Sequence, residues 1–299
     1  MVTRKLFRKY RLSMLAILLL ILCFGLYWGD NSIKTDYISI SSKKLPEAFE
    51  GFKILQISDL HNKEFGKDQA VLLRNIEKAE PDIIVVTGDL IDSRRTNVDK
   101  AMDFIRGAVK LAPVYYVTGN HEGLTEEYSE LEQQLIQAGV ILLKNKLIEI
   151  KYKGAAINLA GINDPVYEME AGDYNGASEK LVLEELLEGI KEDRADRYTV
   201  LLSHRPEFIN TYAQNGIDLV FSGHAHGGQF RLPFIGGLIA PGQGLFPKYT
   251  NGKYKKKNTT EIVSRGLGNS IIPLRIFNRP QIIVCTLYSK SSDTKERQG

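Results

Sequence analysis

The chain has 299 residues, 43% of them hydrophobic and 25% charged, proportions that suit one large globular domain with a small appendage. The formal net charge is +3, but Arg4, Lys5, Arg8, Lys9 and Arg11 supply five positives, so everything after them is close to neutral with a slight acidic excess. A domain of that balance has no clustered basic face with which to displace phosphate counterions, which excludes duplex nucleic acid as a natural partner.

Directly after the basic residues, Leu12 to Gly29 carries no charge and is rich in Leu and Ile. A spanning helix needs about 20 mostly apolar residues, so the run predicts a single transmembrane anchor over 12–29, with residues 1–11 as a cytoplasmic basic segment. Tyr27 and Trp28 sit where an interfacial aromatic belt belongs. The positive cluster stays inside, which places the rest of the chain on the extracytoplasmic face of the cell membrane. A cleaved signal peptide is the competing reading, but no Ala-x-Ala-like site follows the apolar run. Cys23 in that run and Cys285 in a late strand-like segment are the two cysteines, so no disulfide framework is expected.

Residues 30–50 read as a linker and a short edge strand at Tyr37-Ile38-Ser39-Ile40. A catalytic domain is expected over 51–289 and a flexible tail over 290–299. Within the domain, short apolar runs (53–57, 83–87, 114–117, 200–202 and 219–221) alternate with helix-like stretches at 67–80, 98–110, 124–138 and 177–190. That alternation predicts an α/β fold whose strands are covered on both faces. Strand-rich text over 140–162 and again over 227–288 predicts a second sheet. The polar stretch 165–176 reads as a surface loop.

The polar residues that follow these runs carry the functional signal. Asp59-Leu60-His61, Gly88-Asp89, Gly119-Asn120-His121, Ser203-His204 and Gly223-His224-Ala225-His226 each lie at the end of an apolar run. In α/β sheets ligands bind beyond the carboxyl ends of the strands, so the five segments are expected to meet in one crevice. The two-residue period of a strand would point Asp59 and His61 the same way, and likewise His224 and His226. A lone histidine is more often a surface or core residue than a ligand. Here all five histidines of the chain fall in these segments, and the conjunction points to metal. Imidazole and carboxylate donors without thiolate suit manganese, zinc, iron or cobalt rather than calcium or magnesium. The donors are too many for one closed tetrahedral ion but enough for two divalent metal ions with open positions. Such a pair supplies a nucleophile near neutral pH and clamps the oxygens of an in-line displacement at phosphorus.

The set Asp59-x-His61, Gly88-Asp89, Gly119-Asn120-His121-Glu122, His204 and Gly223-His224-x-His226 resembles the full motif set of the calcineurin-like metallophosphoesterases, over about residues 52–288. The resemblance implies a four-layer αββα sandwich and a phosphodiesterase or phosphatase activity. It implies further that Asp59, His61 and His226 hold one metal, Asn120, His204 and His224 the other, that Asp89 bridges both, and that His121 is not a ligand but donates a proton or stabilises the transition state.

The stretch Gly227-Gly228-Gln229-Phe230-Arg231-Leu232-Pro233 resembles a membrane-associated bacterial branch of that family that includes UDP-2,3-diacylglucosamine hydrolases. Arg231 is either a phosphate-binding residue or a solvated strand residue. Gly227 and Gly228 either let the backbone approach the metals or make a turn. Asp164, after another apolar run, is a turn residue or precedes a loop over the site. The lysines between Lys248 and Lys257 form either a solvated hairpin or a contact to anionic lipid. The expected function is metal-dependent hydrolysis of a phosphoester or pyrophosphate bond, on a membrane or cell-envelope substrate. The rivals are a noncatalytic metal-binding envelope protein and a UDP-2,3-diacylglucosamine-type pyrophosphate hydrolase, the latter at odds with an extracytoplasmic domain.

Overall fold

The structure, a computed structural model, describes residues 2–169, 176–191, 194–269 and 273–290. The tail expected over 290–299 therefore lies outside the described residues apart from Lys290, and so does most of the later half of the 165–176 loop.

The apolar run forms a helix that is longer than its uncharged part, α1 at Val2–Asn31. Its Ser13–Asn31 stretch has a mean hydropathy of 1.9, is not buried against the domain, and is long and apolar enough to cross a membrane. Only Ser32 and Ile33 separate it from β1 (Lys34–Ser42), the expected edge strand, here nine residues long. The chain then alternates through β2 (Lys53–Ile57), α2 (Ala70–Ala79), β3 (Ile83–Thr87), α3 (Val98–Ala108), β4 (Val114–Val117), the single turn α4 (Asn120–Gly123), α5 (Tyr128–Gln137) and β5 (Ile141–Leu142). A second half follows with β6 (Lys146–Tyr152), β7 (Ala155–Gly161), α6 (Gly176–Gly189), β8 (Thr199–Leu202), α7 (Ile209–Gln214) and β9 (Leu219–Ser222). Four two-residue strands, β10 (Arg231–Leu232), β11 (Gly236–Gly237), β12 (Ile239–Ala240) and β13 (Gly244–Leu245), make two small hairpins. They precede β14 (Gly252–Lys256), β15 (Thr259–Val263) and β16 (Gln281–Ser289).

Two six-stranded sheets result, ordered β1, β16, β2, β3, β4, β5 and β14, β15, β9, β8, β7, β6. Strands β2 to β5 are mutually parallel, as are β7, β8, β9 and β15. The last strand, β16, returns to sit antiparallel to β2 and parallel to β1. Alternate residues of each buried strand serve different layers, as the period of two requires. Ile54, Val85, Tyr115 and Cys285 of the first sheet meet Leu159, Val200, Phe221 and Ile262 of the second. On the first sheet's outer face Leu55, Ile57, Val86 and Val284 pack on Leu72 and Ile76 of α2, Phe104 of α3 and Leu131 of α5. Ala160, Leu201 and Val220 do the same for Leu183 of α6 and Tyr212 of α7. The layers are helices, sheet, sheet, helices, the αββα sandwich. Each buried Leu, Ile or Val side chain contributes about 1.5–3 kcal/mol, which is why near-continuous apolar runs can be strands only here, between two covered faces.

Gln56 bridges the two sheets: its Nε2 donates to Thr87 Oγ1 (3.0 Å) and to the Ser222 carbonyl of the opposite sheet (2.9 Å). Glu261 on β15 is fully buried, with Ser222 Oγ donating to its Oε1 at 2.8 Å, and burial pushes its pKa well above the ordinary carboxyl value. The folded side chain thus keeps its proton where the unfolded one, titrating at about 4.3, has lost it. Stability from this group is whole below that pH and falls as pH rises. Glu261→Gln is expected to melt with wild type near pH 4 and increasingly above it toward pH 8. Parallel melting curves would mean that Glu261 is ionised in the fold.

Candidate metal centre

Strands β2, β3 and β4 of one sheet and β8 and β9 of the other deliver the five polar segments to one crevice, and backbone bonds tie the loops together. Asp59 N donates to the Gly88 carbonyl (3.0 Å), His61 N to that of Asp89 (3.1 Å) and Gly223 N to that of His204 (3.1 Å). The strand period is not what aligns the paired ligands. β2 ends at Ile57 and β9 at Ser222, and Asp59, His61, Asp89, His224 and His226 all have left-handed φ, between 46° and 64°. Asp and His tolerate that region better than branched residues do, yet each such residue costs on the order of 1 kcal/mol or more. The surrounding sheets over-determine it. Gly88 (φ 87°) has no alternative, because a Cβ there would collide with the Gly119 backbone and lie 2.8 Å from His204 Nδ1.

Asp89 is the geometric centre. One group of donors, Asp59, His61, Asp89 and His226, has ligand atoms within 4.8 Å of one another, and a second group, Asp89, His204 and His224, meets the same limit. The Asp89 Oδ2 lies 3.5 Å from His61 Nε2 and 3.2 Å from His204 Nε2, and its Oδ1 accepts from His121 N at 2.9 Å. His61 Nε2 and His226 Nε2 are 3.1 Å apart, His226 Nε2 is 3.4 Å from Asp59 Oδ1, and His224 Nδ1 is 3.2 Å from His204 Nε2. Asp59, His61, Asp89, His204, His224 and His226 all fall in these two groups. Asn120 begins the one-turn α4, and His121 beside it is 8% exposed at the rim.

Two features suit this pocket to cations. The oxygens Asp59 Oδ2 and Asn120 Oδ1 are buried with no hydrogen-bond donor, a costly state unless a positive group faces them. The imidazoles, in turn, are held as ligands. Burial keeps His61, His224 and His226 below the ordinary imidazole pKa, with the Arg205 guanidinium adding to the effect at His224. Burial acts the same way on His204, but the Asp89 carboxylate overcomes it and raises His204 to about 10. His204 Nδ1 sits 2.7 Å from the Thr87 carbonyl, which fixes a proton on Nδ1 and turns Nε2 into the site. A cation between His204 and Asp89 would replace the proton they otherwise share. The residues therefore fit a dinuclear divalent metal site, and their chemistry leaves the choice among manganese, iron, cobalt and zinc open.

Several supporting residues carry no distinct sequence signal. Glu122, quoted in the motif but assigned no role from sequence, is buried and accepts the backbone N–H groups of Asp89 (2.8 Å), Leu90 (2.7 Å), Ile91 (3.3 Å) and Gly119 (2.7 Å), so one carboxylate clamps two ligand loops. Burial and the neighbouring Asp89 raise its pKa. Arg205 forks onto Asp164 (2.6 and 3.0 Å), with its Nη1 3.3 Å from His224 Nε2. Asp164 is thus more than a turn residue, although it also caps the short 3-10 turn Pro165–Glu168 by accepting from Val166 N. Asp92 Oδ2 lies 3.9 Å from His61 Nδ1, near but beyond hydrogen-bonding distance. Arg231 donates to the Gly227 carbonyl (2.7 Å) and Thr250 Oγ1 (3.2 Å), steadying the ligand loop. Gly228 makes room for Gly237 of β11 rather than for a metal. The lysines of 253–257 are exposed on the β14–β15 hairpin.

A four-layer α/β sandwich whose strand ends bring two histidine–carboxylate clusters onto one shared carboxylate is the architecture of a dinuclear metallohydrolase. Residues 52–228 match the calcineurin-like phosphoesterase family, and the chain belongs to that family. It is 30% identical over 271 residues to the uncharacterized metallophosphoesterase YkuE of Bacillus subtilis, covering 89% of each chain. The uncharacterized metallophosphoesterase YkoQ of the same organism is 27% identical, with 85% of this chain and 90% of the relative covered. A transmembrane protein with metallophosphoesterase domain from Bos taurus is 30% identical over 82% of this chain and 55% of its own length.

Proposed function

We propose that the protein is a membrane-anchored hydrolase of phosphoester or pyrophosphate bonds that uses two divalent metal ions. The observation that carries this reading is the membership of Asp89 in both donor clusters. Asp59, His61 and His226 would hold one ion, Asn120, His204 and His224 the other, and Asp89 both, one anion between two cations reducing their repulsion. When bound, the ions supply Lewis acidity at the phosphoryl oxygens and a nucleophile at neutral pH. The chain's own residues do the rest. The neutral amide of Asn120 leaves the site net positive toward an anionic substrate, and Glu122 holds the ligand loops so that the donors are pre-oriented.

His121 stabilises the transition state. Its Nδ1 accepts from Ser93 N at 3.0 Å, so in the neutral ring the proton resides on Nε2, which can donate a hydrogen bond to the leaving oxygen as charge develops on it. Family membership supports the reaction class. The anchor-like helix α1 and the transmembrane-named relative support a single-pass location, and the basic residues before the span support an extracytoplasmic domain. An extracytoplasmic site favours a cell-envelope phosphoester over the UDP-2,3-diacylglucosamine-type chemistry. The test is turnover of bis-p-nitrophenyl phosphate and p-nitrophenyl phosphate by the full chain in detergent, stripped of metal and reloaded with manganese or zinc. Metal-dependent hydrolysis is expected, and its ratio on the two esters reports diester or monoester preference. Silence with two metals bound would favour the noncatalytic metal-binding reading.

A further inference from the structure

The two small hairpins β10–β11 and β12–β13 present an apolar surface that the catalytic reading does not use. Phe234, Ile235, Leu245 and Phe246 stand out on the hairpins, the last two 72% and 68% exposed, and Phe277 on the neighbouring loop is 74% exposed. Scattered apolar residues on a surface need no explanation, but a contiguous set of large ones marks a contact. Phe234, Phe246 and Phe277 all have positive φ, so the backbone is held in a costly shape that turns these rings outward.

Ile276 bridges to Phe230 just before β10, which joins the hairpin layer to the loop that faces helix α1. A groove of about 720 Å³ separates helix α1 from the 275–279 loop, walled by Ile21, Leu22 and Leu26 on one side and Ile276 and Phe277 on the other. The helix end is tied to the domain beside it: Arg279 stacks on Trp28 at 4.4 Å and donates to the Ser32 (3.0 Å) and Ile33 (3.1 Å) carbonyls, while Asp30 meets Lys63 at 3.1 Å and Asn269 at 2.8 Å. Leu26 to Ile21 lie roughly 8 to 15 Å before Asn31 along the helix at 1.5 Å per residue, within the stretch long and apolar enough to cross a membrane. A loop abutting those turns is at the same depth. The layer is also built on the ligand loop. Asn278 Nδ2 donates to the His226 carbonyl at 2.7 Å, and Leu238 N donates to that of Gly228 at 3.0 Å.

We propose that the hairpin layer and the 275–279 loop are a second membrane contact that seats the catalytic domain on the bilayer α1 enters, so that the metal site takes phosphoesters carried by membrane lipids. The substrate class rests on the hydrolase reading above; the docking does not. A lipid chain in the groove satisfies Ile21, Leu26 and Phe277 together, and the ligand loop, one hydrogen bond away, is brought to headgroup level.

The experiment uses the full chain with Cys23→Ser, reconstituted in phosphatidylglycerol–phosphatidylcholine vesicles, carrying a fluorophore on F246C or F277C. Quenching by lipids with nitroxide on the acyl chain, and protection from aqueous iodide, are expected; a label on S289C should show the reverse. Iodide quenching at 246 and 277, or protection from both quenchers as in a contact between two copies, overturns the docking. In the same vesicles the triple variant Phe234→Ser, Phe246→Ser, Phe277→Ser should hydrolyse hexadecyl p-nitrophenyl phosphate about tenfold more slowly than wild type and bis-p-nitrophenyl phosphate equally fast. An unchanged rate on the hexadecyl ester, or equal losses on both esters, overturns the lipid substrate class. Failure of wild type on both esters removes the hydrolase reading and the substrate class with it, while the quenching result still decides the docking.

Discussion

Asp89→Ala is expected to lose metal-dependent turnover by on the order of a thousandfold or more and to fall below two bound ions per chain. The carboxylate stands within 3.5 Å of imidazoles from both clusters, so no other single replacement touches both. Removing it would bring two divalent charges face to face across a low-dielectric crevice with no anion between them, and would strip the His121 backbone N–H of its acceptor. Glu122 would remain clamped on the backbone of residues 89–91, so the loop should hold its place and the loss should not be one of folding. Metal content by atomic emission, with bis-p-nitrophenyl phosphate turnover beside it, reads both effects. Two ions and wild-type rates in this variant would end the assignment of Asp89 as the shared ligand.

His121→Ala separates chemistry from metal binding. The side chain belongs to neither of the two clusters that share Asp89; it does meet His61 and Asp92 in a third group of donor atoms within 4.8 Å, but its Nδ1 is occupied by Ser93 N and hydroxyl, each at 3.0 Å. Two ions are therefore expected to remain, while turnover falls about 10² to 10³-fold, the range for loss of one positioned hydrogen-bond donor to developing charge. The loss should shrink for esters with better leaving groups, whose developing charge needs less stabilisation. A noncatalytic metal protein would bind metal equally with or without His121, so a rate unaffected by the substitution would count against the hydrolase and not only against this residue.

The same physics explains which parts of the molecule were legible in its sequence. Short runs such as 53–57 and 83–87 became strands with those bounds, because a backbone buried on both faces must pair its N–H and C=O groups in a sheet, and apolar runs bounded by turn residues have no cheaper way to do so. The imidazoles and carboxylates that the structure gathers were legible too, because five strand ends carrying them are a chemical statement that survives any detail of geometry. The anchor helix was read from the length of its uncharged run, although the helix continues back to Val2 because the basic residues before it are good helix formers.

Other features belong to the tertiary structure alone. Asp59 and His61 converge through left-handed loop residues and not through a strand's period, since β2 has already ended, and such φ values are imposed by neighbours rather than encoded by Asp or His. The sharing of Asp89, the three N–H groups of residues 89–91 gathered by Glu122 and the fork of Arg205 on Asp164 join segments about 30 to 40 residues apart or lie across the two sheets, so no local pattern signals them. The apolar hairpin layer was invisible for a different reason. Its strands are two residues long, too short for any periodicity, and only their packing on the ligand loop and the bridge from Phe230 to Ile276 bring them beside the loop that faces α1. Composition determined which chemistry the chain could perform; long-range packing decided which atoms meet to perform it and which apolar residues come to lie beside α1.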